Sequence, residues 1–373
     1  MMPTTPLRPR PNFPLRCALA VLVLSLAAMA SMKAPEAVPV NRQARAPILA
    51  WELQDSGVSA GLRGVAAVDA VTAWASGSEG TVLRTVDGGR TWARKKVPGA
   101  EGVDFRDIEA FDAQTAVVMG IAKPARIFRT ADGGETWTEV YHDNASGIFL
   151  DGIDFSGPLD GWAVGDPIGG RIFVLTTSDG GKTWVKPSSV RRPYAKKSEG
   201  LFAAGGTCIE AKSPTEVRFC SGGLISRIFH TADGGRNWAI TDSPLLKGEP
   251  SFGTYAIAFR NERDGIAVGG DYRDEPAAEK NAAFSMDGGA SWTVVNDRKP
   301  DGFRECVAFV PGATTSMAIT VGPSGSDFTL DGGRSWTPIP GPMGFHALSF
   351  APDGTAGWAV GKGGIVARIR LGR

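Results

Sequence analysis

Histidine is scarce in this chain. Only His142, His230 and His346 occur in 373 residues, at spacings that would not gather them on a metal, so no metal site is expected. Charge of one sign is lacking as well: 40 Lys and Arg against 39 Asp and Glu leave a formal net charge of +1, where a nucleic-acid binder would carry a basic excess. No glycine-rich loop precedes a helix to cradle phosphate, so nothing supports a nucleotide or nicotinamide enzyme and no cofactor is expected. No nucleophile, base and orienter assemble from spacing alone. Long apolar runs are limited to Cys17–Ala30, shorter than the ~20 residues of a spanning helix.

That run follows Arg8, Arg10 and Arg16 and ends in Ala28-Met29-Ala30. Basic, apolar, then small-x-small is the order of a secretory signal, assigned to residues 1–30. An uncleaved anchor is the alternative. Residues 31–48, with Pro35, Pro39 and Pro47, read as a tether. The mature protein is expected to be periplasmic or secreted, with no stable membrane insertion after cleavage. Cysteine is also sparse: Cys208, Cys220 and Cys306 follow Cys17. Cys208 and Cys220 flank a Lys212–Thr215 turn, where they would face each other as a disulfide or as two buried thiols; Cys306 reads as core.

What the chain has in quantity is turns. Thr130-Ala131-Asp132-Gly133-Gly134-Glu135-Thr136-Trp137 recurs six times in the form hydroxyl-x-Asp-Gly-Gly-x-(Thr/Ser/Asn)-Trp. The carboxylate and hydroxyls suit the amides of a tight turn, and the glycines accept positive φ. The aspartates, Asp87, Asp132, Asp179, Asp233, Asp287 and Asp331, are 44 to 54 residues apart. Strand-rich units at such a period predict a propeller. A second recurring strand, Trp74-Ala75-Ser76-Gly77, Trp162-Ala163-Val164-Gly165 and Trp358-Ala359-Val360-Gly361, supports it. After Gly357–Arg370 the chain ends without a box, while Ile48–Leu53 resembles a fourth strand with no partners before it. Joining the two predicts an all-β, seven-bladed β-propeller of four-stranded blades over residues 49–373. The N-terminal strand would complete the C-terminal blade and leave no open edge. A monomer is expected.

The boxes resemble the Asp-box, or bacterial-neuraminidase, repeat, which occurs in enzymes and non-enzymes alike. Gly161-Trp162-Ala163-Val164-Gly165 and the box Thr177–Trp184 make the 49–373 region similar to the photosystem II stability/assembly factor family. That resemblance implies an exported seven-bladed propeller. In its photosynthetic members it implies an assembly chaperone with an arginine-rich patch on one face.

The boxes join strands three and four, so a site is expected on the opposite face, at the start of each innermost strand. Aligning those strands on Val68, Phe111, Phe155, Phe259, Phe309 and Phe350 places Arg63, Arg106 and Arg304 at one station, with Leu150, Thr254 and Phe345. The next position carries Asp107, Asp151 and Glu305, with Gly64, Tyr255 and His346. Guanidinium clamps carboxylate well, which suggests a mouth for an anion or acidic peptide. A ring of mutual Arg–carboxylate pairs is the plainer alternative. The Lys186–Gly206 segment adds Arg191 and Arg192, and the insert at Asp271 adds Tyr272, to the same face. The expected function is a non-enzymatic scaffold for an envelope protein or acidic peptide. The rival is a sialidase-like or other glycoside hydrolase using Asp107, Tyr255 and Glu305, or a carbohydrate- or anion-binding propeller.

Overall fold

The computed structural model describes residues 49–371. The signal and tether read in residues 1–48 lie outside them. Among the described residues, no helix is long and apolar enough to cross a membrane.

Seven sheets form the blades of the propeller. Their innermost strands are Leu62–Ala67, Phe105–Ala110, Leu150–Phe155, Ile209–Ser213, Phe252–Phe259, Cys306–Phe309 and Phe345–Phe350, numbered here as blades 1 to 7. Closure is as the sequence implied. Leu49–Gln54 pairs antiparallel with Val366–Leu371, with Trp51 opposite Ile369, as the outer strand of blade 7. The ring therefore has no open edge strand between its first and last blades.

Two blades depart from the four-stranded expectation. Blade 3 has three strands, its fourth reduced to a bridge between Thr176 and Val185. Pro193 and Tyr194 cover the rest of that edge, where Ile172 donates to the Pro193 carbonyl at 3.0 Å. Blade 5 gains two short inner strands, Glu199–Gly200 and Gly222–Gly223, and becomes six-stranded.

The Asp box works as a closed hydrogen-bond circuit. Thr130 Oγ1 accepts from Gly134 N–H at 3.0 Å and donates to Asp132 Oδ1 at 2.9 Å. Asp132 in turn accepts from Thr136 N–H at 2.9 Å and Thr136 Oγ1 at 2.5 Å. Those bonds, led by the Thr136 hydroxyl, hold the Asp132 carboxyl down at about 2. Gly133 and Gly134 take φ of 77° and 82°, which side chains with a Cβ rarely adopt. The circuit extends through the residue before the tryptophan, so the fourth strand of blade 2 begins only after it, at Thr138.

The core lies between blades. Trp162, Val164, Ile172 and Val174 of blade 3 pack with Ile209, Phe219 and Phe229 of blade 4 in one cluster. Cys208 and Cys220 do face each other across their hairpin, where Cys220 N–H donates to the Cys208 carbonyl at 2.9 Å. The disulfide does not form: both are free and buried, like Cys306. Cys208 turns its thiol toward blade 3, 3.5 Å from the Asp151 carbonyl oxygen.

Candidate functional site

Five innermost strands carry a bulge near their start. The pairing with the second strand skips Arg63, Arg106, Asp151, Tyr255 and His346. A bulged residue leaves the ladder and re-aims its side chain. Blade 6 joins this set through Glu305, not Arg304. A Cβ placed on Gly322 would lie 2.9 Å from Arg304 Cα, just as one on Gly77 would lie 2.9 Å from Leu62 Cα. Arg304 therefore takes the place of Leu62, and Glu305 that of Arg63. The alignment on Val68 and Phe111 was one residue too far along in blades 1 and 2, whose strands end at Ala67 and Ala110.

The three arginines thus have different fates. Arg304 is 1% exposed and donates to Asp327 Oδ2 from Nε at 2.9 Å and Nη2 at 2.5 Å. It is core, and leaves the rim. Arg106 donates to Asp104 at 2.8 Å and to the Ala203 carbonyl at 2.9 Å. Arg63 lies 3.4 Å from His346 Nδ1 and 3.6 Å from Glu305, and His346 Nδ1 meets the same Glu305 oxygen at 2.5 Å. Burial lowers the Arg63 pKa, with Glu305 opposing and Arg106 adding to the shift. Every arginine is paired. Of the Arg–carboxylate pairs that a ring would need, the rim contains Arg63 with Glu305, while Arg106 turns to Asp104.

The channel is closed on this side by its own chain. Ala203–Thr207, leading into blade 4, reaches blades 2, 5, 6 and 7. Besides the Arg106 bond, Ile257 N–H donates to the Thr207 carbonyl at 2.9 Å, and Thr207 Oγ1 lies 3.3 Å from Cys306 Sγ. Only glycine fits at its tip. A Cβ on Gly205 would overlap the His346 carbonyl oxygen and lie 2.9 Å from Cys306 Cβ, and one on Gly206 would lie 2.7 Å from Asp107 Oδ1.

On the Asp-box side of this plug the channel keeps a cavity of about 700 Å³, lined by Asp107, Glu109, Asp154, Glu210, Phe259 and Phe309 among others. Its carboxylates mostly staple one blade to the next. Asp107 accepts from Ile108 and Ile153 N–H, both at 2.9 Å. Asp154 accepts from Ala211 N–H at 2.5 Å, and Glu210 from Phe259 N–H at 3.2 Å. These amides lie on inner edge strands that have no further strand to pair with. Burial raises Asp107 and Asp154 to about 7 despite the amide bonds, and burial with acidic neighbours likewise pushes Glu109 well above the usual carboxylate range.

The hydrolase constellation does not assemble. Tyr255 is buried, stacked on Phe202 at 4.0 Å between ring centroids, and its hydroxyl donates to the Ser251 carbonyl at 2.8 Å. Asp107 is committed to two amides and Glu305 to His346 and Arg63. Asp151 is buried with both carboxylate oxygens unbonded, and burial with Asp166 nearby raises its pKa well above the usual range. Arg191 and Arg192 lie along the outer edge of blade 3, where the Arg191 carbonyl accepts from Trp238 Nε1 at 3.0 Å and the Arg192 carbonyl from Arg171 at 2.6 Å. They do not join the rim. Among the described residues, no group of three or more His, Cys, Asp or Glu could hold a metal ion.

What the rim face does offer lies beside the plug. A cavity of about 880 Å³ is bounded by Asp166, Lys196, Lys197, Phe202, Gly223 and Leu224. Its floor is the two-residue ladder pairing Glu199 with Gly223 and Gly200 with Gly222. Glu199 contributes no free charge there, since Arg227 binds it at 2.8 and 2.5 Å. Leu224 is 44% exposed, and Tyr272, edge-on to Phe202 at 6.5 Å, is 45% exposed. The sequence placed the Lys186–Gly206 segment and Tyr272 on this face but singled out neither Phe202 nor Leu224, which sit in short irregular stretches without periodicity.

Comparison with known proteins gives a family match over part of the chain and a fold. Residues 43–147 match the family model described as photosynthesis system II assembly factor YCF48. The structure is similar to YCF48 bound to D1 peptide, at 18% identity and a TM-score of 0.61, covering 85% of this chain and 96% of that one. It is similar to YCF48 from Cyanidioschyzon merolae at 17% identity and a TM-score of 0.60, covering 86% and 98%. A GH74 xyloglucanase from Xanthomonas campestris is similar at 15% identity and a TM-score of 0.57, covering 85% of this chain and 53% of the enzyme. At these identities the structural likeness shows the fold alone. No curated protein matches the chain in sequence.

Proposed function

We propose that this propeller, of the YCF48-type photosystem II assembly factor family, is a protein-binding scaffold that holds an extended, acidic segment of a partner protein. The observation that carries the reading is the family match over residues 43–147, in a fold whose relative YCF48 is known bound to a D1 peptide. The groove beside the plug is the place on this chain best suited to such a segment. Lys196 and Lys197 stand on one lip, Leu224 and Phe202 offer apolar contact, and the glycine ladder lets a backbone approach closely. The rim arginines take a lesser part: Arg63 and Arg106 are 27% and 24% exposed and already paired. The hydrolase reading gains no support, because its three candidate groups are occupied by internal partners.

Export belongs to the same proposal. It rests on the basic and apolar pattern of residues 1–30 and places the groove outside the cytoplasm. Fractionation of cells expressing the full chain tests it, and recovery in the cytoplasmic fraction would overturn it.

The binding test is site-specific photo-crosslinking in cells of the native host. A crosslinking side chain at Leu224 should capture a discrete envelope partner, and K196E with K197E should abolish capture while the protein stays folded. Equal capture from Val71, on the Asp-box side, or turnover of a fluorogenic glycoside lost in D107N, would count against the scaffold.

A further inference from the structure

The grooves between blades repeat around the ring, and the molecule shows what fills them. After blade 1, Arg84 of the third strand lies 5.4 Å over Trp74 and donates to the Gly133 carbonyl of the next Asp box at 3.2 Å. After blade 2, Arg129 donates to the Gly180 carbonyl of the following box at 2.8 Å. After blade 7, Arg368 lies 5.1 Å over Trp358 and donates to the Ala70 carbonyl at 2.9 Å. Other grooves are filled differently: by the Arg191 carbonyl against Gly235 after blade 3, and by Arg334 over Phe284, 5.0 Å from its ring, after blade 5.

The groove after blade 4 has neither kind of filling. The register pairs Arg218 with His230 where blade 1 pairs Trp74 with Arg84, so His230 occupies the arginine station. Its ring stops at Glu216, 3.2 Å away. Beyond it is a cavity of about 420 Å³ reaching Gly288, the counterpart of Gly133 and Gly180 in the blade 5 box. Glu216, Glu262 and Asp287 line it, and Asp287 is committed to Ser291 and Ser285. Arg218, the one cation in the lining, is 3% exposed and packed 4.4 Å from the Phe259 ring. Burial and Arg218 lower the His230 pKa, which keeps the imidazole neutral at neutral pH. Arg218 also binds Glu216 at 2.7 Å, so the carboxylate this lining leaves to an incoming cation is Glu262, beside the Gly288 carbonyl.

We infer that the groove between blades 4 and 5 is a binding site for an arginine side chain of a partner protein. The guanidinium donates to the Gly288 carbonyl, as Arg84 and Arg129 do internally to Gly133 and Gly180 three and two blades away, and it also reaches Glu262 and lies against the His230 ring. This site is at the periphery on the Asp-box side, away from the groove beside the plug, so either assignment can fail without the other.

With three histidines in the chain, the ring signals give a direct readout. N-acetyl-arginine methylamide, titrated into the full-length protein, should shift the His230 ring resonances saturably and leave His142 and His346 unmoved. The neutral isostere N-acetyl-citrulline methylamide should bind at least about tenfold more weakly, the loss of a charge-assisted bond. Glu262→Gln should weaken the arginine probe by about threefold, as expected for one solvent-exposed ion pair. His230→Arg should fill the groove internally, leave the thermal midpoint no lower, and abolish the probe's effect on the Gly288 amide. Equal shifts with both probes, no shift at His230, no effect of Glu262→Gln, or undiminished binding to folded His230→Arg would each overturn the assignment.

Discussion

Arg304 and Asp327 form a buried ion pair behind the rim, at positions where blade 1 places Leu62 and Leu83. Both side chains are 1% exposed, and one carboxylate oxygen takes both guanidinium bonds while the other is unbonded. Removing one partner strands the other charge. Arg304→Ala is expected to cost about 3–5 kcal/mol in urea unfolding, whereas the double change to leucine, copying blade 1, should recover most of it. A single-variant loss below about 1 kcal/mol, the range of surface pairs, would show that the pair is solvated.

Stability should fall as pH rises from weakly acidic through neutral. Burial lifts Asp107 and Asp154 to about 7, so between their unfolded values near 4 and that point the folded state binds the extra protons. Their stabilising effect is fully present below the unfolded pKa and is lost as pH passes through 7. The box aspartates act oppositely: Asp87, Asp132, Asp179 and Asp233, held at about 2, stabilise above the unfolded value and lose that effect as pH falls through 2. Thermal midpoints recorded from pH 4 to 9 should peak on the acid side of neutral. A midpoint that rises steadily from 5 to 8 would contradict the burial of these carboxyls.

The blade count was legible because the Asp box needs a fixed set of atoms: a hydroxyl, a carboxylate and two positive-φ glycines. Six copies and two unmatched ends then specify the seventh blade. The rim was harder. Strand alternation has a period of two, and a slip of one residue exchanges a rim side chain for a core one. Val68 and Phe111 offered an apolar anchor one position beyond the strand, so Arg304 aligned with Arg63 when its true counterpart is Leu62. Nothing periodic marks the plug either. Leu201-Phe202-Ala203-Ala204-Gly205-Gly206-Thr207 is small because it threads a channel, and smallness alone names no destination.

The plug should be intolerant of a single methyl group. Gly205 is packed against backbone, where the His346 carbonyl has no side-chain freedom with which to yield. Gly205→Ala is expected to cost about 1–3 kcal/mol, the usual range for overpacking. It should also quicken proteolytic cleavage between residues 199 and 208 relative to the rest of the propeller. Gly169, with open space around its Cβ position but a φ of 63°, makes a useful contrast. Its alanine variant should be strained locally and leave cleavage at the plug unchanged. Unaltered stability and cleavage in Gly205→Ala would mean that the channel is not closed as described.

The three described thiols should be chemically silent in the native protein. Burial pushes Cys208 and Cys220 well above the ordinary thiol range and Cys306 up to about 12. Since the thiolate is the reactive form, alkylation at pH 8 should leave all three unmodified until the fold opens. Cys208 also has a reason to stay unpaired with Cys220: its sulfur faces blade 3, and a Cβ on Gly152 would come within 2.5 Å of it. Peptide mapping of protein purified without reductant should recover both as free cysteines after denaturation. A linked Cys208–Cys220 peptide would instead require the Cys208 side chain to leave blade 3, loosening the contact between blades 3 and 4 that Gly152 makes possible.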